Sequence, residues 1–152
     1  MKKENGYVSV DLVFHQSETI SELLTQHGVT PIKTGEFHCT IAYDKTLGQD
    51  ALPVEMDMER IYEGKVIGVE LLGEEKDGLQ SAIALVLDAP QLEELHHKFL
   101  AAGYDHGWDT YKAHMSVAYD VPVEDATRMV DILQVFVGDT FYFSNLSAEP
   151  VK

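Results

Sequence analysis

The sequence predicts an α+β domain made of two similar lobes. Strand-like and helix-like segments follow one another in the order β-α-β-β and then β-α-β-α-β. A ten-residue segment occurs twice, at residues 36–45 and 112–121, so each half of the chain carries one copy. The length of 152 residues suits a single domain, which we expect to span residues 1–152.

Each element is predicted from the period of its apolar residues and from the residues at its ends. Enrichment in β-branched and aromatic residues predicts strands over residues 7–14, 37–43, 60–72, 79–87, 114–119 and 140–146. Helical spacing of apolar residues predicts helices over residues 17–28, 90–103 and 123–135. Ser17 is the expected N-cap of the first helix. Asp77-Gly78 predicts a tight turn between the third and fourth strands.

The composition is typical of a folded soluble protein. No apolar stretch is long enough to cross a bilayer, and no signal-peptide core follows the first residues, so we expect a cytoplasmic protein with no membrane partner. The formal net charge of −15 opposes binding to long nucleic acid, because such binding depends on Lys and Arg contacts to phosphates. A small anionic ligand in a local pocket is compatible with this charge, and so is mimicry of DNA.

The single cysteine, Cys39, excludes an internal disulfide framework and a cysteine-rich zinc site. Cys39 follows His38, and a cysteine beside a histidine is one pattern of an activated nucleophile. Strand alternation, however, directs adjacent side chains to opposite faces. A buried thiol is therefore the favoured interpretation.

The two copies of the ten-residue segment align without gaps. His, Ala, Tyr and Asp coincide, Thr pairs with Ser, and Ile pairs with Val; the two histidines, His38 and His114, lie 76 residues apart. The short pattern His-x-Thr/Ser is weak alone, since it also occurs at His15-Gln16-Ser17, where no apolar strand follows. The specificity lies in the longer repeat and its strand context.

The repeat predicts which side chains share a face, because residues i and i+2 of a strand point the same way. His38 and Thr40 therefore point together, and so do His114 and Ser116. The alternate residues are expected to face the core: Cys39, Ile41 and Tyr43 in the first copy, and Met115, Val117 and Tyr119 in the second. If the two halves pack about a pseudo-twofold axis, both polar pairs face one cleft.

Such a cleft has the groups needed for phosphodiester cleavage. One imidazole removes a proton from the attacking hydroxyl, and the other protonates the departing oxygen. General acid-base catalysis of this kind contributes roughly 10²- to 10⁴-fold. The hydroxyls of Thr40 and Ser116 would donate hydrogen bonds to non-bridging phosphate oxygens, where charge develops in the transition state.

These paired motifs resemble those of the two-histidine phosphoesterase superfamily, which includes the LigT-like RNA phosphodiesterases. The resemblance implies a bilobal fold with outer helices around a central cleft, and a reaction without metal or cofactor. It implies catalytic roles for His38, Thr40, His114 and Ser116. The size and the opening segment also resemble phage anti-CBASS enzymes, which degrade the cyclic oligonucleotide signals of bacterial defence. This resemblance implies hydrolysis of a small cyclic nucleotide, such as 3′,3′-cyclic GMP-AMP, by attack of a ribose 2′-hydroxyl.

Within the implied site, Tyr7, Glu149 and Trp108 are candidates for substrate binding. Tyr7 begins the first strand and is a candidate for stacking on a base, while Glu149 is a candidate acceptor for a base edge. Trp108 and Tyr111 precede the second motif and would line the cleft mouth. A structural role is the alternative for each of them, since aromatic side chains usually pack and a terminal Glu is usually solvated.

Several alternatives stay open from the residues alone. The same chemistry suits 2′,3′-cyclic phosphates at RNA ends or 2′,5′-linked oligonucleotides, and the charge leaves room for a non-catalytic nucleotide sponge or DNA mimic. A metal site that adds Asp44 or Asp120 is disfavoured, because each Asp lies about 20 Å along the strand from its histidine. His96 and His97, on the second predicted helix, are expected at the surface. The residues alone predict no oligomeric state and do not distinguish the acid from the base.

Overall fold

The computed structural model describes residues 6–44, 57–104 and 111–149. Within these ranges the strands are β1 (Tyr7–Leu12), β2 (His38–Tyr43), β3 (Tyr62–Leu72), β4 (Leu79–Asp88), β5 (His114–Pro122) and β6 (Thr140–Glu149). The helices are α1 (Phe14–Gln26), α2 (Pro90–Ala101) and α3 (Val123–Ile132), the last followed by a 3₁₀ turn over Leu133–Phe136. The order of elements is the predicted one, which confirms the α+β class. Across the described ranges, no helix is long and apolar enough to span a membrane.

The six strands form one antiparallel sheet in the order β2-β1-β6-β3-β4-β5. This order divides into two groups of three, β2-β1-β6 and β3-β4-β5, and each group ends on one copy of the repeat. Although β2 and β5 are at opposite ends of the order, they contact each other. Ile32, which precedes β2, donates its backbone amide to the Val117 carbonyl of β5 at 2.9 Å. The sheet is therefore curved so that the two repeat strands meet.

The helices attach to the sheet through apolar stripes at helical spacing. The buried residues are Ile20 and Leu24 in α1, Leu92, Leu95 and Phe99 in α2, and Ala126 and Met129 in α3. Helix α2 packs against β2 and β3, while α3 packs against β3, β4 and β5. Complete burial of one large apolar side chain stabilises the fold by about 1.5–3 kcal/mol. The apolar core therefore packs against one face of the repeat strands, and the polar residues of the two motifs lie on the other face.

The turn between β3 and β4 has the predicted chemistry. Asp77 and Gly78 both have positive φ, at 57° and 78°. The flanking residues, Lys76 and Leu79, exchange two backbone hydrogen bonds at 2.9 and 3.0 Å. Positive φ at both central residues is the conformation of a type I′ hairpin turn, and it explains why Asp-Gly occurs here.

Helix α1 begins three residues earlier than predicted, and Ser17 is not its N-cap. The N-cap is Val13, which makes no side-chain capping bond. Ser17 is buried in the first turn, and its hydroxyl donates to the Val13 carbonyl at 3.3 Å. A serine side chain is short and reaches nearby backbone groups, so it can either cap a helix or bond to a carbonyl of the preceding turn. The sequence prediction assigned Phe14 to the preceding strand, whereas the structure places it, exposed, as the first residue of α1.

Candidate active site

The two histidines of the repeat occupy equivalent places in the structure. His38 is the first residue of β2, and His114 is the first residue of β5. Both are half-buried, and so are Thr40 and Ser116 two positions later. The residue between histidine and hydroxyl is fully buried in each strand. The start of each repeat strand thus alternates as predicted.

Both imidazoles are oriented by the same hydrogen bond. His38 Nδ1 lies 2.9 Å from the carbonyl oxygen of Glu36, and His114 Nδ1 lies 3.0 Å from the carbonyl oxygen of Lys112. Because a carbonyl oxygen only accepts, Nδ1 of each ring must carry the proton. In the neutral ring Nε2 then holds the lone pair, and in the imidazolium it holds a second proton. Each Nε2 is therefore suited to accept or donate a proton, depending on the charge of its ring.

Both repeat strands contain a β-bulge at the same position of the motif. The pairing of β2 with β1 skips Ile41, and the pairing of β5 with β4 skips Val117. Each skipped residue lies three positions after the histidine of its copy. A bulge places two residues opposite one and changes the local direction of the strand. The repeat is therefore a repeat of backbone conformation as well as of sequence.

The bulges reverse the faces of the residues that follow them. Ala42 and Ala118, directly after the bulged residues, are fully buried. The next residues, Tyr43 and Tyr119, therefore turn toward the face of the histidines. Tyr119 is 53% exposed and lines the same cleft as His38, and Tyr43 meets the Tyr7 ring edge-on with 5.8 Å between centroids. The prediction that both tyrosines face the core is wrong, because simple alternation does not count the extra residue.

A cleft of about 510 Å³ opens beside His38. Its lining consists of Tyr7, Ser9, Asp11, Ile32, Gly35, Glu36, His38, Tyr119 and Glu149. Three of the predicted site residues, Tyr7, His38 and Glu149, are brought together here. Tyr119 is a cleft residue that the sequence analysis missed, and only knowledge of the bulge would have found it.

The predicted site residues Thr40, His114 and Ser116 lie outside this lining. Thr40 is next to it, because its hydroxyl is bonded to the cleft residue Tyr7. His114 and Ser116 are on β5, the strand that contacts β2. Trp108 lies outside the described residues. The structure thus places His38 of the first motif in the cleft and the second motif on β5, which contacts β2.

Tyr7 connects β1 to the first motif. Its hydroxyl is 2.7 Å from Thr40 Oγ1, and its ring meets His38 edge-on at 6.0 Å between centroids. Burial raises the pKa of Tyr7, which keeps the phenol protonated and able to donate. If Tyr7 donates, the proton of the Thr40 hydroxyl is left to donate to a ligand. Glu149 lies directly opposite Tyr7 in the pairing of β1 with β6.

The cleft wall is acidic. Asp11, Glu36 and Glu149 line it, and its described lining contains no Lys or Arg. Asp11 accepts a hydrogen bond from Nδ2 of Asn145 at 2.8 Å. A phosphate at this wall would depend on imidazole and hydroxyl donors, because the neighbouring charges repel it. The carboxylates suit ligand donors, such as the amino groups of a nucleobase.

Tyr111 ties β2 to the start of β5 and does not line the described cleft. Its hydroxyl donates to the Thr40 carbonyl at 2.7 Å. The Cys39 thiol lies 3.6 Å from the same hydroxyl and is also hydrogen-bonded by the backbone of His114. These contacts place the first residues of the two motif strands side by side.

The two adjacent histidines of α2 differ in their surroundings. His97 is at the surface as predicted, 3.8 Å from the Glu93 carboxylate. His96 is not at the surface: it is 1% exposed, and its Nδ1 lies 2.6 Å from the carbonyl oxygen of Ile41. The prediction of two surface histidines is therefore wrong for His96, because residue 96 falls in the apolar stripe that faces β2.

Cys39 is a buried thiol, as favoured from the sequence. It is fully buried, and this burial raises its pKa to about 11. At pH 8 only about one thiol in a thousand would be ionised at such a pKa, and the thiolate is the reactive form. A role for Cys39 as a nucleophile at neutral pH is thus disfavoured.

We expect native Cys39 to resist a thiol reagent such as Ellman's reagent at pH 8. Burial prevents the reagent from reaching the sulfur, and the raised pKa keeps the thiol protonated and therefore unreactive. The measurement is the rate of modification of the native protein against the same protein in denaturant, where the thiol should react at least about a hundredfold faster. Equal rates would contradict the buried environment of Cys39.

The described residues contain no group of three or more His, Cys, Asp or Glu side chains arranged to hold a metal ion. The aspartates of the two motifs have different environments: Asp44 is buried, whereas Asp120 is exposed with φ of 52°. The two copies of the repeat thus diverge at their last shared residue.

A family model described as "Anti-CBASS protein Acb1" matches residues 4–149, which include both repeat segments, the cleft residues and all described elements. No curated protein sequence matches the chain. A family match over nearly the whole length establishes membership, and the chain therefore belongs to the Acb1 family of anti-CBASS proteins.

Proposed function

We propose that this protein is a metal-independent phosphodiesterase that hydrolyses cyclic oligonucleotide second messengers, such as 3′,3′-cyclic GMP-AMP, and so counteracts CBASS immunity on behalf of a phage in the host cytoplasm. The observation that carries the proposal is the pair of motif strands with identical Nδ1–carbonyl bonds at His38 and His114. Membership of an anti-CBASS family supports the immune role. The acidic cleft supports a small ligand over long nucleic acid.

The proposed fold is that of a bilobal two-histidine phosphoesterase. In this interpretation the strand groups β2-β1-β6 and β3-β4-β5 are the two lobes, and each contributes the motif on its end strand. The contact between β2 and β5 supports a shared site between the lobes. The matching bulges at Ile41 and Val117 support a common origin of the two halves.

The proposed reaction begins with attack of a ribose 2′-hydroxyl on the adjacent phosphorus. One histidine accepts the hydroxyl proton at Nε2, and the other, as imidazolium, gives its Nε2 proton to the departing 5′-oxygen. The new oxygen–phosphorus bond yields a 2′,3′-cyclic phosphate, and the broken bond opens the ring of the substrate. Thr40 and Ser116 would donate to the non-bridging oxygens, which gain charge in the transition state. Water can then open the cyclic phosphate by the same acid-base pair acting in reverse.

The cleft residues are proposed to bind the bases. Tyr7 and Tyr119 line the same cleft and offer aromatic surface for stacking. Glu149 faces the cleft as an acceptor for amino or imino groups. Trp108 is retained as a binding candidate that lies outside the described residues.

The test is incubation of the protein with 3′,3′-cyclic GMP-AMP in excess EDTA, followed by chromatography of the products. We expect many turnovers per protein molecule, with a 2′,3′-cyclic phosphate appearing before the terminal phosphate. If the free ligand decreases by only one molecule per protein molecule, and intact ligand is recovered after denaturation, the protein would be a nucleotide sponge. No binding and no turnover would exclude this substrate, and RNA with 2′,3′-cyclic phosphate ends would be the next substrate.

A further inference from the structure

The imidazole of His96 is buried and has no part in the proposed reaction. It lies in the apolar stripe of α2 with Leu92, Leu95 and Phe99, and it is 1% exposed. A polar ring in such a place costs stability unless it forms hydrogen bonds. Its Nδ1 lies 2.6 Å from the carbonyl oxygen of Ile41, so His96 donates to the bulged residue of β2. Helix α2 thus contacts the motif strand through a directional bond as well as through apolar packing.

Tyr111 donates a similar hydrogen bond to the preceding residue of β2. Its hydroxyl donates to the carbonyl oxygen of Thr40 at 2.7 Å. The Tyr111 ring is stacked on the His96 ring, with 4.4 Å between centroids and 20° between planes. Burial raises the pKa of Tyr111 and lowers that of His96, so both rings are neutral near pH 7 and remain donors through the hydroxyl and Nδ1–H.

The second motif has a different donor at the equivalent position. Val117 corresponds to Ile41 in the repeat, and its carbonyl accepts the backbone amide of Ile32 at 2.9 Å. The bulge carbonyl is therefore bonded in both copies. In β5 a backbone group supplies the donor, whereas in β2 two side chains supply donors to consecutive carbonyls.

A bulge on an end strand needs such bonds to stay in register. Among the described strands, β2 pairs only with β1, and a shift by one residue would turn His38 and Thr40 to the opposite face. We infer that His96 and Tyr111 are positioning residues, which fix the β2 bulge through the Ile41 and Thr40 carbonyls and thereby aim His38 and Thr40 at the substrate. This inference rests on the proposed function for its effect on rate, but the bonds themselves concern only the position of the strand.

Substitutions that differ in one hydrogen-bond donor test the inference. His96→Leu fills the space without a donor, whereas His96→Asn keeps an amide nitrogen where Nδ1 was. Tyr111→Phe removes only the hydroxyl. The matched controls are His97→Leu and His97→Asn on the exposed neighbour.

We expect His96→Leu and Tyr111→Phe each to lower kcat for cyclic dinucleotide cleavage by about tenfold to a hundredfold, with KM within about threefold, because a small misplacement of catalytic groups slows the chemical step. His96→Asn should restore kcat to within about threefold of the parent, and both His97 variants should match the parent. An unchanged kcat in folded His96→Leu, or no recovery in His96→Asn, would overturn the positioning role.

A second measurement does not need turnover. We expect His96→Leu to shift the backbone amide NMR signals of residues 38–41 by more than those of residues 115–117, and His96→Asn to return them. If the parent protein cleaves no cyclic nucleotide, the proposed function fails and the positioning role is decided by these signals alone. Unchanged signals at residues 38–41 would overturn it.

Discussion

Alanine in place of His38 or His114 is expected to lower kcat for cyclic dinucleotide cleavage by roughly 10²- to 10⁴-fold, the contribution of one general acid or base. Each ring is expected to act through Nε2, because Nδ1 is bonded to a backbone carbonyl in both. The double variant should lose little more than the worse single variant, since the two groups act in the same step. The measurement is kcat and KM of the four proteins in excess EDTA.

His15→Ala is a matched control for this experiment. His15 begins the same short His-x-Ser pattern, but it is exposed on α1 and lines a separate cavity with Gln16, Thr19 and Tyr142. Its replacement should leave kcat unchanged. A loss of activity as large as that of the motif variants would contradict the assignment of the two motifs.

Asparagine variants separate orientation from proton transfer. Asn at position 38 or 114 can keep the bond to the carbonyl of Glu36 or Lys112, but it has no group that replaces Nε2. We expect both variants to be as inactive as the alanine variants while unfolding at the temperature of the parent. Activity within about threefold of the parent would show that Nε2 carries no proton in the reaction.

A cyclic dinucleotide that lacks its 2′-hydroxyls is expected to resist cleavage. In the proposed mechanism the nucleophile is part of the substrate, and an oriented intramolecular nucleophile is equivalent to an effective concentration of about 10⁵–10⁸ M. Water has no comparable position in the ground state, so the rate with the deoxy analogue should fall below detection. The measurement is product formation from the ribose and deoxyribose forms of the same dinucleotide.

Inhibition by the deoxy analogue shows whether it still binds. In the proposed binding mode, aromatic and carboxylate groups of the cleft contact the bases, and these contacts do not involve the 2′-hydroxyl. We therefore expect competitive inhibition by the analogue, with an inhibition constant within about tenfold of KM for the ribose substrate. Hydrolysis of the analogue at the rate of the ribose form would exclude 2′-hydroxyl attack and favour direct attack by water.

The order of elements could be predicted because it depends on local patterns. The strand containing His114 has β-branched and apolar residues at the period of a strand, and Pro90 and Gly103 mark the ends of a helix. Asp77-Gly78 specifies its turn through backbone conformations that few other residue pairs adopt easily. The start of α1 was harder to predict from the sequence, because a serine such as Ser17 can act as an N-cap or bond within the first turn.

The candidate site could be predicted only in part. The repeat indicated His38, Thr40, His114 and Ser116 because side chains of one strand face share a spacing of two. The bulges at Ile41 and Val117 were not visible in that spacing, so Tyr119 was assigned to the core. The environment of His96 could not be predicted either, because its hydrogen-bond partner Ile41 lies 55 residues earlier in the chain.

By itself, the sequence determined the α+β class, the element order, the two motifs and the buried Cys39, all of which follow from neighbours within a few residues. The tertiary structure alone decided the meeting of β2 with β5, the turn of Tyr43 and Tyr119 toward the histidine face, and the bond from His96 to the first motif. The physical reason is that sheet register and strand curvature depend on pairing between distant segments. A single extra residue in each repeat strand changes which side chains face the cleft, and its presence is fixed by the partner strand.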